Sequence, residues 1–422
     1  MKHSSPLGVS WRPFHQERVF NAVNNLVNAG PLRALGLTSW ESLEDISDAI
    51  KSSAPPVKVY IISAFPYLLD SFSLNWLKYD QINQYGPMLD YVCIVSAAAI
   101  SAEFNRLLSR HNFSFLVSSR LLDWFWPIST FILFLTSPLT YRMMLAPWHE
   151  VPWLAFTMLF YMCTIKSRPQ LGLVFLALAG FFHWYWSFMM ALFYFISLIL
   201  PEPSSSAGNA KSLFPPNLRG AQNIKSLFVV LLLPSLIHQL SLFIASRYYL
   251  ISSSGSSPLY RIGIDSPANI HHGGILAAWQ FLGGNRFSVC LDTTLVDSRI
   301  NINIFRFNCA SAIAGCALVS VIALISYLVA SQRENTLRWV LVPMCWSYLV
   351  FLLIFQQTNA AHLQGHSFIF VEIYAFGIVY LLALLSSVLR FSHRATIMVS
   401  SPVIFAIAIN SIRVNYLTGI NG

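Results

Sequence analysis

Apolar and polar positions along the chain fall into long alternating blocks. Mostly apolar runs cover Asp90–Leu107, Trp124–Tyr141, Val151–Thr164, Leu171–Leu200, Ser226–Ser246, Cys309–Ala330, Arg338–Phe355, Phe368–Leu389 and Thr396–Ile412. Several of them reach the roughly 20 residues that cross a bilayer. The pattern predicts an all-α fold, a polytopic transmembrane helical protein with about nine or ten spans. Leu171–Leu200 is longer than one crossing. It reads as a tilted helix or as two partial helices meeting near His183 and Trp184.

The chain ahead of these runs has another character. Met1–Arg18 contains no apolar core, so neither a signal peptide nor a membrane helix is expected there. In His15–Val27, the apolar residues Val19, Val23, Leu26 and Val27 keep helical spacing on one face. Ser39–Ile50 reads as a second short helix, with Ser42 and Asp45 as its capping signal and its acids on a solvated face. Val57–Phe72, interrupted by Pro66 and ended by Asp70, reads as interfacial or re-entrant. Four regions follow: a non-cytoplasmic loop with interfacial helices over 1–87, an N-terminal helix set over 88–246, a long non-cytoplasmic loop over 247–308, and a C-terminal helix set over 309–422.

Composition strengthens this picture. The chain is 55% hydrophobic and 10% charged, where soluble domains carry about 25% charged residues. Six cysteines form no CxxC pair, which leaves neither a disulfide framework nor a metal-ligand spacing. The net charge of +9 belongs to cytoplasmic loops of a membrane protein and not to nucleic-acid binding.

Basic residues set the orientation. Loops 105–122, 166–170, 201–225, 331–338 and 390–395 carry the Lys and Arg excess and are placed in the cytoplasm. Loops 166–170 and 201–225 share a side only if 171–200 is a hairpin or re-entrant. The opposite face then collects His15, Glu17, Arg142, His149, Glu150, Asp265, His271, His272, His362 and His366. The stretch Ser137–Pro152, SPLTYRMMLAPWHEVP, stands out. Its three prolines forbid one unbroken helix, and it holds Arg142, His149 and Glu150. Irregular backbone of this kind belongs at a membrane surface or beside a wet cavity. Ionisable groups there are functional candidates, the plainer alternative being an interfacial turn.

Several of these segments resemble the GT-C superfamily of membrane glycosyltransferases, which take a sugar from a polyprenyl-phosphate donor. HQERVFNAVNNLVNAGPLRALGLTSW resembles the start of that family's large outer loop. SAPPVKVYIISAFPYLLDSF and YGPMLDYVCIVSAAAISAEFNRLLSRH resemble its end and the following span. SPLTYRMMLAPWHEVPWLAF resembles the second outer loop, and TNAAHLQGHSFIF the polar turn before a late span. Gln16-Glu17 stands where the family commonly has Asp-Glu.

The resemblance implies an inverting transferase of the cell envelope, in the bacterial cytoplasmic membrane. Its donor is a polyprenyl-phosphate-linked sugar, its surroundings are the lipid bilayer, and nucleic acid is no partner. The reaction needs a carboxylate as general base and positive groups for the departing phosphate. Glu17 and Glu150 are the catalytic candidates. Arg142 suits a phosphate through its fork of donors. His149, and His362 with His366 at i, i+4, complete the substrate-binding set. The cofactor implied is a divalent metal ion, magnesium or manganese, with no ligand set assigned. A flippase or transporter of a lipid-linked glycan is the alternative outside enzymes. A family member without catalysis is the alternative within it.

Overall fold

The structure is a computed structural model. It describes residues 21–28, 36–39, 47–48, 51, 57–59, 61–68, 82–112, 119–137, 140, 150–183, 187–188, 190–191, 221–248, 251–253 and 370–420. Of this part 90% is helical, in eight helices. They are α1 (residues 21–28), α2 (Ile82–Asn112), α3 (Arg120–Thr136), α4 (Glu150–Ile165), α5 (Pro169–Phe182), α6 (Ala221–Tyr248), α7 (Phe370–Val388) and α8 (His393–Ile420). Six apolar runs of the sequence lie on α2 to α4 and α6 to α8. The runs Cys309–Ala330 and Arg338–Phe355 lie outside the described residues.

Helix α4 is the centre of the bundle. Trp153, Leu154, Met158, Phe160 and Tyr161 are buried all round it, which is how a helix apolar on every side behaves. It packs on α2 and on α5. The Phe104 and Tyr161 rings stack with centroids 6.4 Å apart, and those of Phe156 and Phe175 lie 6.1 Å apart. Buried hydroxyls in this apolar interior bond back to their own helices. Thr130 donates to the Trp126 carbonyl at 3.0 Å, Thr157 to Trp153 at 2.8 Å and Thr164 to Phe160 at 2.9 Å. Each hydroxyl is thereby satisfied four residues back and needs no partner on another helix.

The turn from α4 to α5 is tight. Ser167 adopts φ 57°. Arg168 N–H donates to the Cys163 carbonyl and Ser167 N–H to that of Thr164. This is the Schellman arrangement, with serine where glycine is usual. Helix α5 opens on Pro169, whose missing N–H costs nothing there. It ends at Phe182, where His183 turns to φ −145° and ψ 79°. Helical residues resume at 187. A Cβ built on Gly180 would lie 3.2 Å from the Ser187 hydroxyl. Residues seven apart in one unbroken helix are about 10 Å apart, so the chain bends sharply between them. The long run 171–200 is therefore not a single tilted helix.

Four three-residue strands, which the sequence pattern did not predict, tie the N-terminal segment to the bundle. Strand β1 (Leu37–Ser39) pairs antiparallel with β3 (Ile61–Ser63), with Thr38 opposite Ile62. Strand β2 (Val57–Val59) pairs parallel with β4 (Ile251–Ser253), with Lys58 opposite Ser252. The reading of Ser39–Ile50 as one helix is thus cut at its start, since Ser39 closes β1. Its residues 40–46 and 49–50 lie outside the described part. Val57–Phe72, expected to be interfacial or re-entrant, begins as strand and continues as a 3-10 turn over Phe65–Tyr67. Helix α1 buries Ala22, Val23 and Leu26 against Ala64 and Tyr67. Asn25 donates to the Ser39 carbonyl and Thr38 to that of Ala22. Phe65 lies between Phe181 and Phe182, 5.1 Å from each ring centroid, and so docks this piece on the end of α5.

The outer surface is apolar. On α6, Val229, Leu236, Leu240 and Phe243 are exposed, and on α8 so are Met398, Phe405 and Ile409. A soluble protein rarely leaves such stripes to water. Two helical stretches, Ile224–Arg247 and His393–Ile412, are long and apolar enough to cross a membrane.

Gly180 lets α5 and α6 approach. A Cβ there would meet Pro234 Cγ at 2.6 Å, closer than packing allows. Gly180→Ala is expected to destabilise the folded protein by ~1–3 kcal/mol through overpacking. Thermal unfolding in detergent checks this, and an unchanged midpoint would mean the two helices do not meet at this glycine.

Candidate functional site

Two ends of the bundle can be told apart by their ion pairs. At the end of α2, the Arg110 guanidinium forms two hydrogen bonds to Asp123, in the first turn of α3; the Nε–Oδ1 bond is 2.9 Å. Arg106 donates twice to Glu103, at 2.7 and 2.9 Å, and its Nη1 lies 4.0 Å from Asp123. Lys166, just past α4, lies 4.0 Å from Glu103. The C-terminal parts of α2 and α4 and the N-terminus of α3 therefore meet at one charged end. Ser119 caps α3 there, its hydroxyl accepting from Leu122 N–H at 3.3 Å. Arg106 also lies over the Trp124 ring, 5.7 Å from its centroid. The acids of this lattice all have cationic partners, which makes it a fastening between helix ends.

The opposite end is where α3 stops and α4 starts. Thr140 folds back on α3, donating to the Phe134 carbonyl at 2.5 Å, and Ser137 N–H donates to the same oxygen at 3.4 Å. Glu150 is the first residue of α4, with Pro152 in the first turn. A carboxylate at a helix N-terminus stands in the favourable field of the helix dipole. Residues 138–139 and 141–149, and the Glu150 side chain, are outside the described part. Their two anchors, Ser137 and Val151, are both buried. The proline-broken segment is thus held between helix ends remote from the basic lattice. Helix α5 also ends on this side, at His183, which is 3% exposed. The contact of Phe65 with Phe181 and Phe182 brings the N-terminal piece here, and β4, which follows α6, pairs with that piece. Helices α5 and α6 therefore end on one side. Lys166 and Lys225, which stand at their starts, share the other.

Of the candidates read from the sequence, Glu17, Arg142, His149, His362 and His366 lie outside the described residues, and Glu150 is described in its backbone only. Among the described residues no group of three or more His, Cys, Asp or Glu side chains gathers to hold a metal ion.

One polar group in the interior was legible in the sequence only in part. Glu372, in the first turn of α7, and Ser101 of α2 are both fully buried, and Asn105 is 3% exposed. The Ser101 hydroxyl donates to Glu372 Oε2. Glu372 Oε1 and both polar atoms of the Asn105 amide have no hydrogen-bond partner, although Asn105 is near enough to the carboxyl to interact with it. Glu372 is conspicuous as an acid in an apolar run. The signal for its neighbours was the i, i+4, i+8 line of Ser101, Asn105 and Ser109, all three buried on α2.

The Arg110 hydrogen bonds, supplemented by the charges of Arg110 and Arg106, hold the Asp123 carboxyl below its ordinary value of 3.8 despite partial burial. A lowered folded-state pKa contributes stability in full above the ordinary value. That stability is lost as pH falls through the lower folded-state value. Asp123→Asn should therefore unfold at a lower temperature than the parent chain at neutral pH. The two midpoints should converge as acid protonates Asp123, which thermal melts across that acid range would show. No protein-family model, no curated protein and no solved structure matches the chain.

Proposed function

We propose that this chain is a multi-pass membrane glycosyltransferase of GT-C type, with about nine or ten spans, in the bacterial cytoplasmic membrane. It transfers a sugar from a polyprenyl-phosphate-linked donor on the face away from the basic lattice. The observation that carries the reading is the position of the Ser137–Pro152 segment. It connects helix ends opposite Arg106, Arg110 and Lys166, and the positive-inside rule puts those cations in the cytoplasm. The segment holds Arg142, His149 and Glu150. The exposed apolar stripes of α6 and α8 supply a lipid-facing wall.

In this reading an acceptor hydroxyl attacks the anomeric carbon of the donor. Its proton passes to the Glu17 carboxylate, and the bond from that carbon to the phosphate oxygen breaks with its electron pair on phosphate. Attack opposite the leaving group inverts the configuration. Glu150 stabilises the oxocarbenium-like charge or assists the base. Arg142, His149, His362 and His366 hold the phosphate. A magnesium or manganese ion, held by Glu150 and His149, would supply counter-charge to the departing phosphate.

One observation favours the runner-up, a transporter of a lipid-linked glycan. Transporters keep ionisable groups inside their spans, as Glu372 is kept here. Reconstituted vesicles separate the two. Polyprenyl-phosphate hexoses should be consumed with transfer of label to an acceptor, and not merely moved between leaflets. Glu150→Gln should lower turnover by ~10²-fold or more with the melting temperature unchanged. Full turnover in that variant would remove Glu150 from the mechanism.

A further inference from the structure

The buried group on α2 and α7 plays no part in the transfer chemistry. Its charge balance is the point of interest. A carboxylate taken out of water needs a counter-charge or a full set of hydrogen bonds. None of the ion pairs among the described residues includes Glu372. The nearest cation on the same stretch of α2, Arg106, is committed to Glu103 through two hydrogen bonds. Ser101 satisfies one carboxyl oxygen. The other is left over, together with the Asn105 amide oxygen.

Two buried acceptor oxygens without a hydrogen-bond partner suit a cation, with the Asn105 amide nitrogen, also unpartnered, as the donor beside them. The donors at hand are the Glu372 carboxyl oxygens, the Ser101 hydroxyl and the Asn105 amide oxygen. All are hard oxygen ligands, without thiolate or imidazole. One carboxylate is neutralised by one monovalent charge, whereas a divalent ion would leave a net positive charge in an apolar interior.

We propose that Glu372, Ser101 and Asn105 form a binding site for a monovalent cation of the sodium class, between α2 and α7 in the bundle interior. The cation joins the two helices through oxygens that otherwise lack partners. The site links helices that are far apart in the sequence, so occupancy reports on, and stabilises, the link that Ser101 and Glu372 make between α2 and α7. The inference is independent of the glycosyltransferase reading and survives its failure.

The test uses the full chain purified in detergent, at constant pH and ionic strength. Sodium chloride is exchanged stepwise for choline chloride while the unfolding midpoint is followed. A site filled at ~100 times its dissociation constant should raise the midpoint by about 3 °C. Equilibrium dialysis with radioactive sodium should give one ion per chain. Glu372→Gln should abolish both effects. Should that variant fail to fold, Ser101→Ala and Asn105→Ala, which keep the carboxylate, should each raise the half-saturating sodium concentration by ~10-fold, the loss of one ligand. Three results would overturn the proposal. One is a midpoint indifferent to sodium in the parent chain. Another is a sodium effect undiminished in all three variants. The last is a rise produced by acid in choline with no sodium effect, which would make the occupant a proton.

Discussion

Arg110 and Arg106 meet Asp123 and Glu103 where α2 ends and α3 begins, and Lys166 joins them from the end of α4. This lattice fixes the relative direction of three helices at once. With α2 and α4 ending there and α3 starting there, the segment between α3 and α4 falls at the other end of the bundle, where the N-terminal piece also docks through Phe65 on the end of α5. Each pair alone is weak where water reaches it. Their effect comes from sharing: Asp123 takes Arg110 and Arg106, while Glu103 takes Arg106 and Lys166.

The bundle is apolar on the outer face of two helices as well as in its interior, which also holds polar groups. Large apolar side chains face outward on α6 and α8, and hydroxyls, amides and a carboxyl are buried inside. Cohesion between these helices draws on close packing and internal hydrogen bonds. The glycines at 172 and 180 serve the first need, since a Cβ at either would press on Phe160 or Pro234. The threonines that bond back along α3 and α4 serve the second, making a polar side chain harmless in an apolar place. Glu372 and Asn105 are among the buried groups not satisfied within their own helix.

The apolar runs made the long helices legible, since length and composition together decide what crosses a bilayer. The boundaries shifted by local chemistry the runs do not contain. Helix α2 extends past Leu107 to Asn112, and its Glu103 is paired to Arg106 one turn on. The face of Val23 and Leu26 was read correctly, while Val27 is exposed. The β2–β4 pair was illegible because its partners lie far apart in the chain and each is only three residues long. The i, i+4, i+8 line of Ser101, Asn105 and Ser109 put them on one face of α2 but did not name Glu372 as their partner. For the candidate site the sequence offered residue types and a side of the membrane. The helix ends around Ser137–Pro152 lie opposite the Arg106, Arg110 and Lys166 lattice, while the meeting of Glu17, Glu150 and the two histidines concerns side chains outside the described residues.

The parallel pairing of Val57–Val59 with Ile251–Ser253 has a bearing on how the chain is made. Synthesis runs from the N-terminus, so β2 leaves the ribosome long before its partner exists. Helices α2 to α6 must all emerge before β4 follows them. Until then the backbone donors and acceptors of β2 have only water or the membrane interface to bond. Closing the pair is therefore a late step of high sequence separation, slow for the same entropic reason as any long loop closure. It acts as a clasp that shuts over the finished N-terminal half.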